Sequence, residues 1–396
     1  MKILTRYILA ELLKWFLVSL GVLTLTILIF FVAREAIHRG LPPVAVLRLI
    51  PCFLPTALWI ALPGTLLLAT TSVYGRLAGS NEVLAIKAQG ISPRRILEPI
   101  WVLAFMASLV TVLLNDVAVS WGRNQVRHVL VESVEEIAYR MLMTNRTYSA
   151  GQLAINVKAV VGRKLIRPTV SRRANGSVPS ITVTASEAEL RKTVDQGEAV
   201  LKIEFGRCEA DFGTAGSAEF PSYTFIIPLE EASQTGESGN VASNLPLRMI
   251  PAETARQRTW IAQFKKNLAA RAAFQMLRGD LDALQSDEWD TQARVLRDAH
   301  ERLYRLWAEP HRRWSSGFSC LFFAWVGAPM AIRLRNRDML TSFFLCFLPI
   351  LIVYYPLLVF GIDGAKDGRL PCWSVWMGNL LLGAWGYVLL RKVIRY

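Results

Sequence analysis

The sequence predicts a polytopic α-helical membrane protein, with six transmembrane helices split three and three by an inserted β-rich domain and an additional helical stretch. Three observations carry that prediction. The 396 residues are 53% hydrophobic, with a positive mean hydropathy. The apolar residues are gathered in long runs near both ends, not dispersed as in a soluble core. Residues 120–312, by contrast, hold most of the acidic side chains and the short-period patterns of a water-exposed domain.

The first three runs are Trp15 to Ala33, Leu49 to Tyr74 and Ile96 to Val119; the last three are Trp314 to Ile332, Leu340 to Phe360 and Trp373 to Leu390. Each approaches or exceeds the ~20 residues that cross a hydrocarbon layer. The first is longer than the ~7–15 apolar residues of a signal peptide, and no small-residue cleavage site follows it, so it is expected to stay in the chain. Prolines punctuate the second run at Pro51, Pro55 and Pro63 and recur at Pro99, Pro329, Pro349 and Pro356. Each removes a backbone donor that lipid cannot replace, which fits either helices that flex along a path or static kinks.

Orientation follows from the basic residues of the short loops. Lys2, Arg6, Lys14, Arg76, Lys87, Arg94, Arg95, Arg333, Arg335, Arg337, Arg391, Lys392 and Arg395 fall on one side, against Arg34, Arg39, Arg48, Lys366 and Arg369 on the other. Both termini are therefore expected in the cytoplasm and the insertion outside it. The expected domains are 1–120, with spans one to three and a cytoplasmic helix at 80–90; 121–312, the exterior insertion; and 313–396, with spans four to six.

Within the insertion, residues 145–230 alternate as strands do: Ile181, Val183 and Ala185 against Thr182, Thr184 and Ser186, and Leu201, Ile203 and Phe205 against Lys202 and Glu204. Turn-rich breaks at Asn175-Gly176 and at 213–216 separate them, and a β-sandwich or open β-roll is the natural reading. Residues 231–251 read as a loop. Residues 252–308 lack proline and repeat Trp260, Phe264, Leu268 and Leu296, Leu303, Trp307 at helical spacing, predicting two helices broken around Gly279 that lead into span four.

The 45 Lys and Arg against 31 Asp and Glu give a formal charge of +14. Many of these cations flank apolar spans instead of lining a soluble basic face, so the charge points to membrane topology and anionic lipid, and no nucleic acid partner is expected. Five scattered cysteines form no C-x-x-C pair, and only Cys208 and Cys372 fall where an oxidising compartment would reach them. His38, His128, His300 and His311 form no metal pattern, and there is no phosphate-binding loop, nucleophile elbow or dinucleotide fingerprint. No catalytic residue, metal site or cofactor is expected.

The most informative stretch is 75–95, between spans two and three. Ser80 is placed to cap a short helix, Glu82 falls in its first turn, Gly90 supplies the left-handed residue after it, and Ser92-Pro93 opens the next helix. A short helix held between two spans is either a lever that a soluble partner grips or an interfacial helix resting on lipid headgroups.

This stretch resembles the cytoplasmic motif of the LptF/LptG permease family, formerly YjgP/YjgQ, in which a Gly-Arg-Leu, a Glu and an Ala-x-Gly-Ile-Ser string recur in that order. Gly75, Arg76, Leu77, Glu82, Ala88, Gly90, Ile91 and Ser92 occupy those places. Glu309-Pro310-His311-Arg312-Arg313, Gly327-Ala328-Pro329, Tyr354-Tyr355 and Trp376 with Asn379 are further matches, so the likeness covers all six spans. The stretch at 252–308 is longer than the family's usual connection.

The resemblance implies six transmembrane helices with a periplasmic β-jellyroll in the bacterial inner membrane. It implies a permease subunit of the ABC transporter that extracts lipopolysaccharide, or a related glycolipid, and passes it to a periplasmic LptC/LptA-like bridge protein. The implied partners are a cytoplasmic LptB-like ATPase dimer, which would hydrolyse the ATP, and a second permease of the family. Arg76, Glu82, Ala88, Gly90 and Ser92 would form the ATPase-coupling element. The resemblance places the lipid path along spans one, two and five, where Arg34 and Arg39 at the outer end of span one are candidates for lipid phosphate contacts, or for ordinary interfacial anchoring. A membrane-anchored envelope scaffold that moves no substrate is the rival reading, and a membrane enzyme the third.

Overall fold

A computed structural model describes residues 2–39, 43–122, 125–126, 129, 134–150, 153–172, 181–195, 198–211, 217–228, 242–279, 287–334 and 339–395. The expected turns at Asn175-Gly176 and 213–216, the loop residues 231–241, His128, Arg335 and Arg337 lie outside them.

Helices α1 (Lys2–Arg39), α2 (Pro43–Gly79), α3 (Glu82–Ala88) and α4 (Pro93–Val117) open the chain, and α4 ends in a π-helical turn, Ala118–Gly122. Helix α5 (Val134–Asn145) precedes eight strands: β1 (Thr147–Ala150), β2 (Leu153–Asn156), β3 (Ala159–Val161), β4 (Lys164–Ile166), β5 (Thr169–Arg172), β6 (Ile181–Asp195), β7 (Glu198–Asp211) and β8 (Ser217–Pro228). Helices α6 (Ile250–Arg278), α7 (Asp287–Arg333), α8 (Met339–Pro349), α9 (Tyr355–Lys366) and α10 (Met377–Arg395) complete it; a π-helical turn Ile350–Tyr354 joins α8 to α9, and a 3-10 turn Cys372–Trp376 precedes α10. Six of the described helical segments are long and apolar enough to cross a membrane: Ile3–Ile37, Pro43–Gly79, Pro93–Gly122, Asp287–Arg333, Leu340–Lys366 and Cys372–Ile394. They overshoot the apolar runs because an α-helix satisfies its own backbone and continues past the hydrocarbon while its side chains turn polar.

The chain divides into two compact units, one of Met1–Ile27, Leu54–Ser120 and Val241–Tyr396, the other of Leu28–Phe53 and Trp121–Asn240. In the first, spans three, four and six pack through small residues. Ala104, Ala107 and Thr111 of α4 meet Cys320 and Ala324 of α7, and the Thr111 hydroxyl lies 3.3 Å from the Cys320 thiol. Such faces let backbones approach where water supplies no driving force between helices. At Gly317 a Cβ would stand 2.3 Å from Val112 Cγ2 and 3.3 Å from the Ser108 carbonyl, so no side chain fits. Gly317→Ala is expected to lower stability by about 1–3 kcal/mol through overpacking. Unfolding in detergent at the wild-type midpoint would disprove that close approach.

In the same unit α6 and the first half of α7 form an antiparallel hairpin. Ile250, Gln257, Ile261, Phe264 and Leu268 on one helix, and Leu296, Ala299, Leu303 and Leu306 on the other, turn inward at alternating three- and four-residue steps, the seam of a coiled coil. Gln257 Nε2 donates to the Ala299 carbonyl at 3.0 Å and Trp289 Nε1 to Gln275 Oε1 at 3.0 Å, fixing the register. Gly279, with φ +75°, ends α6 where the sequence predicted a break. From Asp287 the second helix runs into span four without interruption through Pro310.

In the second unit all strands pair antiparallel in one sheet, with β7 and β8 following β6 as successive hairpins. One edge of β6 is shared by β5, against its first residues, and β4, against Glu187–Glu189. Val183 and Ala185 face the core, and then the phase switches, so that Ala188 and Leu190 face it beyond Ser186. Strand β7 switches at the same level, from Ile203 and Phe205 to Cys208. Arg167 and Arg207 adopt left-handed φ of 47° and 46° there, and Ser186 Oγ donates to the Gly206 carbonyl at 2.8 Å. A left-handed residue turns the strand about its axis, and this line across the sheet curls it.

The curled face is closed by Ala138, Tyr139 and Leu142 of α5. The Tyr139 phenol donates to the Arg163 carbonyl at 2.6 Å and accepts the Leu190 N–H at 2.9 Å, and burial pushes its pKa up. Cys208 is 1% exposed in this core, and all five cysteines are free thiols.

Candidate functional site

The loop between spans two and three is built as a rigid corner. Asn81 enters α3 with a left-handed φ of 59°. Ser80 does not cap the helix, as the sequence suggested; its hydroxyl lies 3.0 Å from the Arg76 carbonyl and 2.9 Å from Glu82 Oε1. The difference arises because α2 runs on to Gly79, which spends Ser80 on the end of the preceding helix. At the other end the Ile91 N–H reaches back to the Ile86 carbonyl at 3.3 Å over Gly90, whose φ is +76°. That bond pattern ends a helix in a reversal that glycine adopts without strain. Ser92, in an extended conformation, then starts α4 with Pro93 at its first position.

Three sets of contacts fasten this corner to the bundle. Val83 is 6% exposed and Ile86 packs beside it on the core that contains Tyr74, Leu77 and Ile96. Lys87 Nζ donates to the Val393 carbonyl of α10 at 3.0 Å, a cation at a helix C-terminus. Arg76 pairs with Glu11 at 3.3 Å and donates to the Tyr7 hydroxyl at 3.4 Å, joining α2 to α1. What remains open is one face: Leu84 is 57% exposed, Ala88 and Ser92 are exposed, and Glu82 is half-buried. A groove of about 550 Å³ runs beside it, lined by Val83, Leu84, Lys87, Arg333, Lys392 and Val393.

The structure thus brings Arg76, Glu82, Ala88, Gly90 and Ser92 into one corner. Arg34 and Arg39 are not so gathered. Both lie near the end of α1, but five residues of helix put them roughly 140° apart around the axis. Arg34 is exposed, and the Arg39 side chain lies outside the described residues.

A second constellation escaped the sequence reading except as a motif. Arg313 is 0% exposed and Glu309 is 3% exposed on α7. Arg313 Nε donates to Glu309 Oε1 at 2.9 Å, Nη1 to Asp116 Oδ1 at 2.9 Å, and Nη2 to the carbonyls of Leu245 at 2.7 Å and Ser243 at 3.3 Å. Arg312 forks onto both Glu309 oxygens at 2.9 and 2.7 Å, and the Leu247 N–H donates to Asp116 at 2.8 Å. The available signal was Asp116 at the end of an apolar run, since an acid there demands a partner. Asn379 is used similarly, donating to the Ser315 carbonyl at 2.8 Å to tie span six to span four. Among the described residues no cluster of His, Cys, Asp and Glu fit to hold a metal ion occurs.

Six apolar helices, a β domain inserted between the third and fourth, and a fastened helix between the second and third define a polytopic membrane protein built in two halves. The sequence matches the family described as lipopolysaccharide export system permease LptF/LptG over residues 6–392, nearly the entire chain. The chain belongs to the LptF/LptG family, whose members are membrane subunits of a transporter, and it is a multi-pass protein of the inner membrane serving lipopolysaccharide transport. No match is found among curated proteins.

Proposed function

We propose that this chain is the permease subunit that extracts lipopolysaccharide, or a related glycolipid, from the inner membrane and passes it to a periplasmic LptC/LptA-like bridge. A cytoplasmic LptB-like ATPase dimer drives it, and a second permease of the family completes the path. The observation that carries this reading is the corner at α3, because a helix locked to α2, α4 and α10 moves those spans when a partner moves it. The exposed Leu84 beside a basic groove supports a protein partner at that corner, with both termini on the same cytoplasmic side and the domain at 121–312 in the periplasm. Spans one and five bury the least of their apolar windows, 22% and 17%, which supports a lipid path or a second permease along them.

Purification from native membranes tests this. Recovery with an ABC ATPase, a second permease and bound lipopolysaccharide is expected. Recovery of the chain with neither ATPase nor glycolipid would leave the scaffold reading in its place.

Arg34 and Arg39 contribute phosphate contacts in this reading. Because five residues of helix separate their positions around the axis of α1, each acts separately. Arg34→Gln with Arg39→Gln is expected to weaken lipopolysaccharide binding in detergent by at least about fivefold, the single variants sharing the loss additively. Unchanged affinity in the double variant makes them interfacial anchors only.

A further inference from the structure

The chain leaves for the inserted β domain through the π-helical turn Ala118–Gly122 and returns through the turn Ala242–Asn244 that leads to α6. One guanidinium holds both connections. Arg313 Nη1 grips Asp116, two residues before the outgoing turn, at 2.9 Å, while Nη2 grips the Leu245 and Ser243 carbonyls of the returning segment at 2.7 and 3.3 Å. Asp116 closes the loop by accepting the Leu247 N–H at 2.8 Å, and Glu309 fixes the Nε side at 2.9 Å. A planar fork with donors on three nitrogens makes these bonds at once, whereas an ammonium is a point charge.

Both spans are irregular at this level. A π-helical turn breaks the regular ladder of α4, and Pro310 lies in α7 between Glu309 and Arg313 with no N–H to give. Left alone, each helix would bend there independently. A buried guanidinium lying between the two irregularities makes them one joint.

We infer that Arg313 is a positioning residue for transport, locking the outgoing and returning segments to spans three and four so that displacement of those spans is carried into the inserted domain. This rests on the reading of the chain as an ATP-driven permease.

The test uses Arg313→Lys and, should that variant fail to accumulate, Asp116→Asn, which keeps an acceptor for the Leu247 N–H. Hydrogen exchange of residues 118–122 and 242–249 is measured on the chain without ATPase, and lipopolysaccharide released per ATP is measured on the whole complex in nanodiscs. Exchange protection and lipid released per ATP are each expected to fall by about tenfold, with ATP hydrolysis within about twofold of wild type. Wild-type lipid per ATP overturns the inference, and so does a parallel fall of hydrolysis and release, which marks a structural prop. If the wild-type complex itself shows no ATP-dependent release, the permease reading fails. The exchange measurement then judges the joint alone, with unchanged protection overturning it.

Discussion

Glu309→Ala is expected to lower the stability of the folded chain by about 3 kcal/mol, because it strips the carboxylate from the fully buried Arg313 and from the partly buried Arg312. Glu309 is 3% exposed and receives bonds from Arg312 at 2.7 and 2.9 Å and from Arg313 at 2.9 Å. Such a cluster adds little net stability when whole, since desolvation offsets most of the Coulomb attraction, but removing one member leaves buried charge uncompensated. Arg313 would keep Asp116, and Arg312, whose bonds here both go to Glu309, is 23% exposed and regains part of its hydration, which holds the loss to that size. Glu309→Gln, which retains one acceptor and loses the charge, should fall between the two. Detergent unfolding measures both variants, and a loss below about 1 kcal/mol for the alanine variant would mean that Arg313 is compensated without Glu309.

Glu82→Lys is expected to weaken recovery of the ATPase with the permease by at least about tenfold while insertion and folding remain as in wild type. Glu82 makes its contact with Ser80 at 2.9 Å and is half-buried, so its removal leaves no uncompensated charge in the protein. Reversal of its sign on the face a partner grips would instead place like charges together in the complex. Glu82→Ala should show a smaller loss than Glu82→Lys. Equal recovery of the ATPase with all three proteins would remove the corner from the coupling path, whereas loss of the permease itself from the membrane would assign Glu82 to folding. Leu84→Asp offers an independent check, since Leu84 is 57% exposed and its substitution disturbs little of the bundle.

The family's motifs acquire physical reasons in the structure. Gly90 stands where a left-handed φ of +76° is needed, Gly327 where a Cβ would meet Leu67 at 2.7 Å, and Asn379 where an amide bonds the Ser315 carbonyl of span four. The Glu-Pro-His-Arg-Arg string places its Glu309 and Arg313 one turn apart, so Glu309 reaches the guanidinium that also grips Asp116.

The spans, the strand alternation, the two helices broken at Gly279 and the reversal at Gly90 were all legible in the sequence because each is written in neighbouring residues. Period two, period 3.6, run length and a glycine at a helix end are local quantities. Even the phase switch in β6 is visible, as Ala188 and Leu190 follow Val183 and Ala185 out of step. What only the tertiary structure decided is which distant groups answer one another. Arg313 and Asp116 are 197 residues apart, and Lys87 and Val393 are 306 apart. A charge in an apolar helix announces that it needs a partner, since leaving it bare in that medium is too unfavourable to persist. The identity of the partner depends on how the helices pack, and no local pattern encodes that.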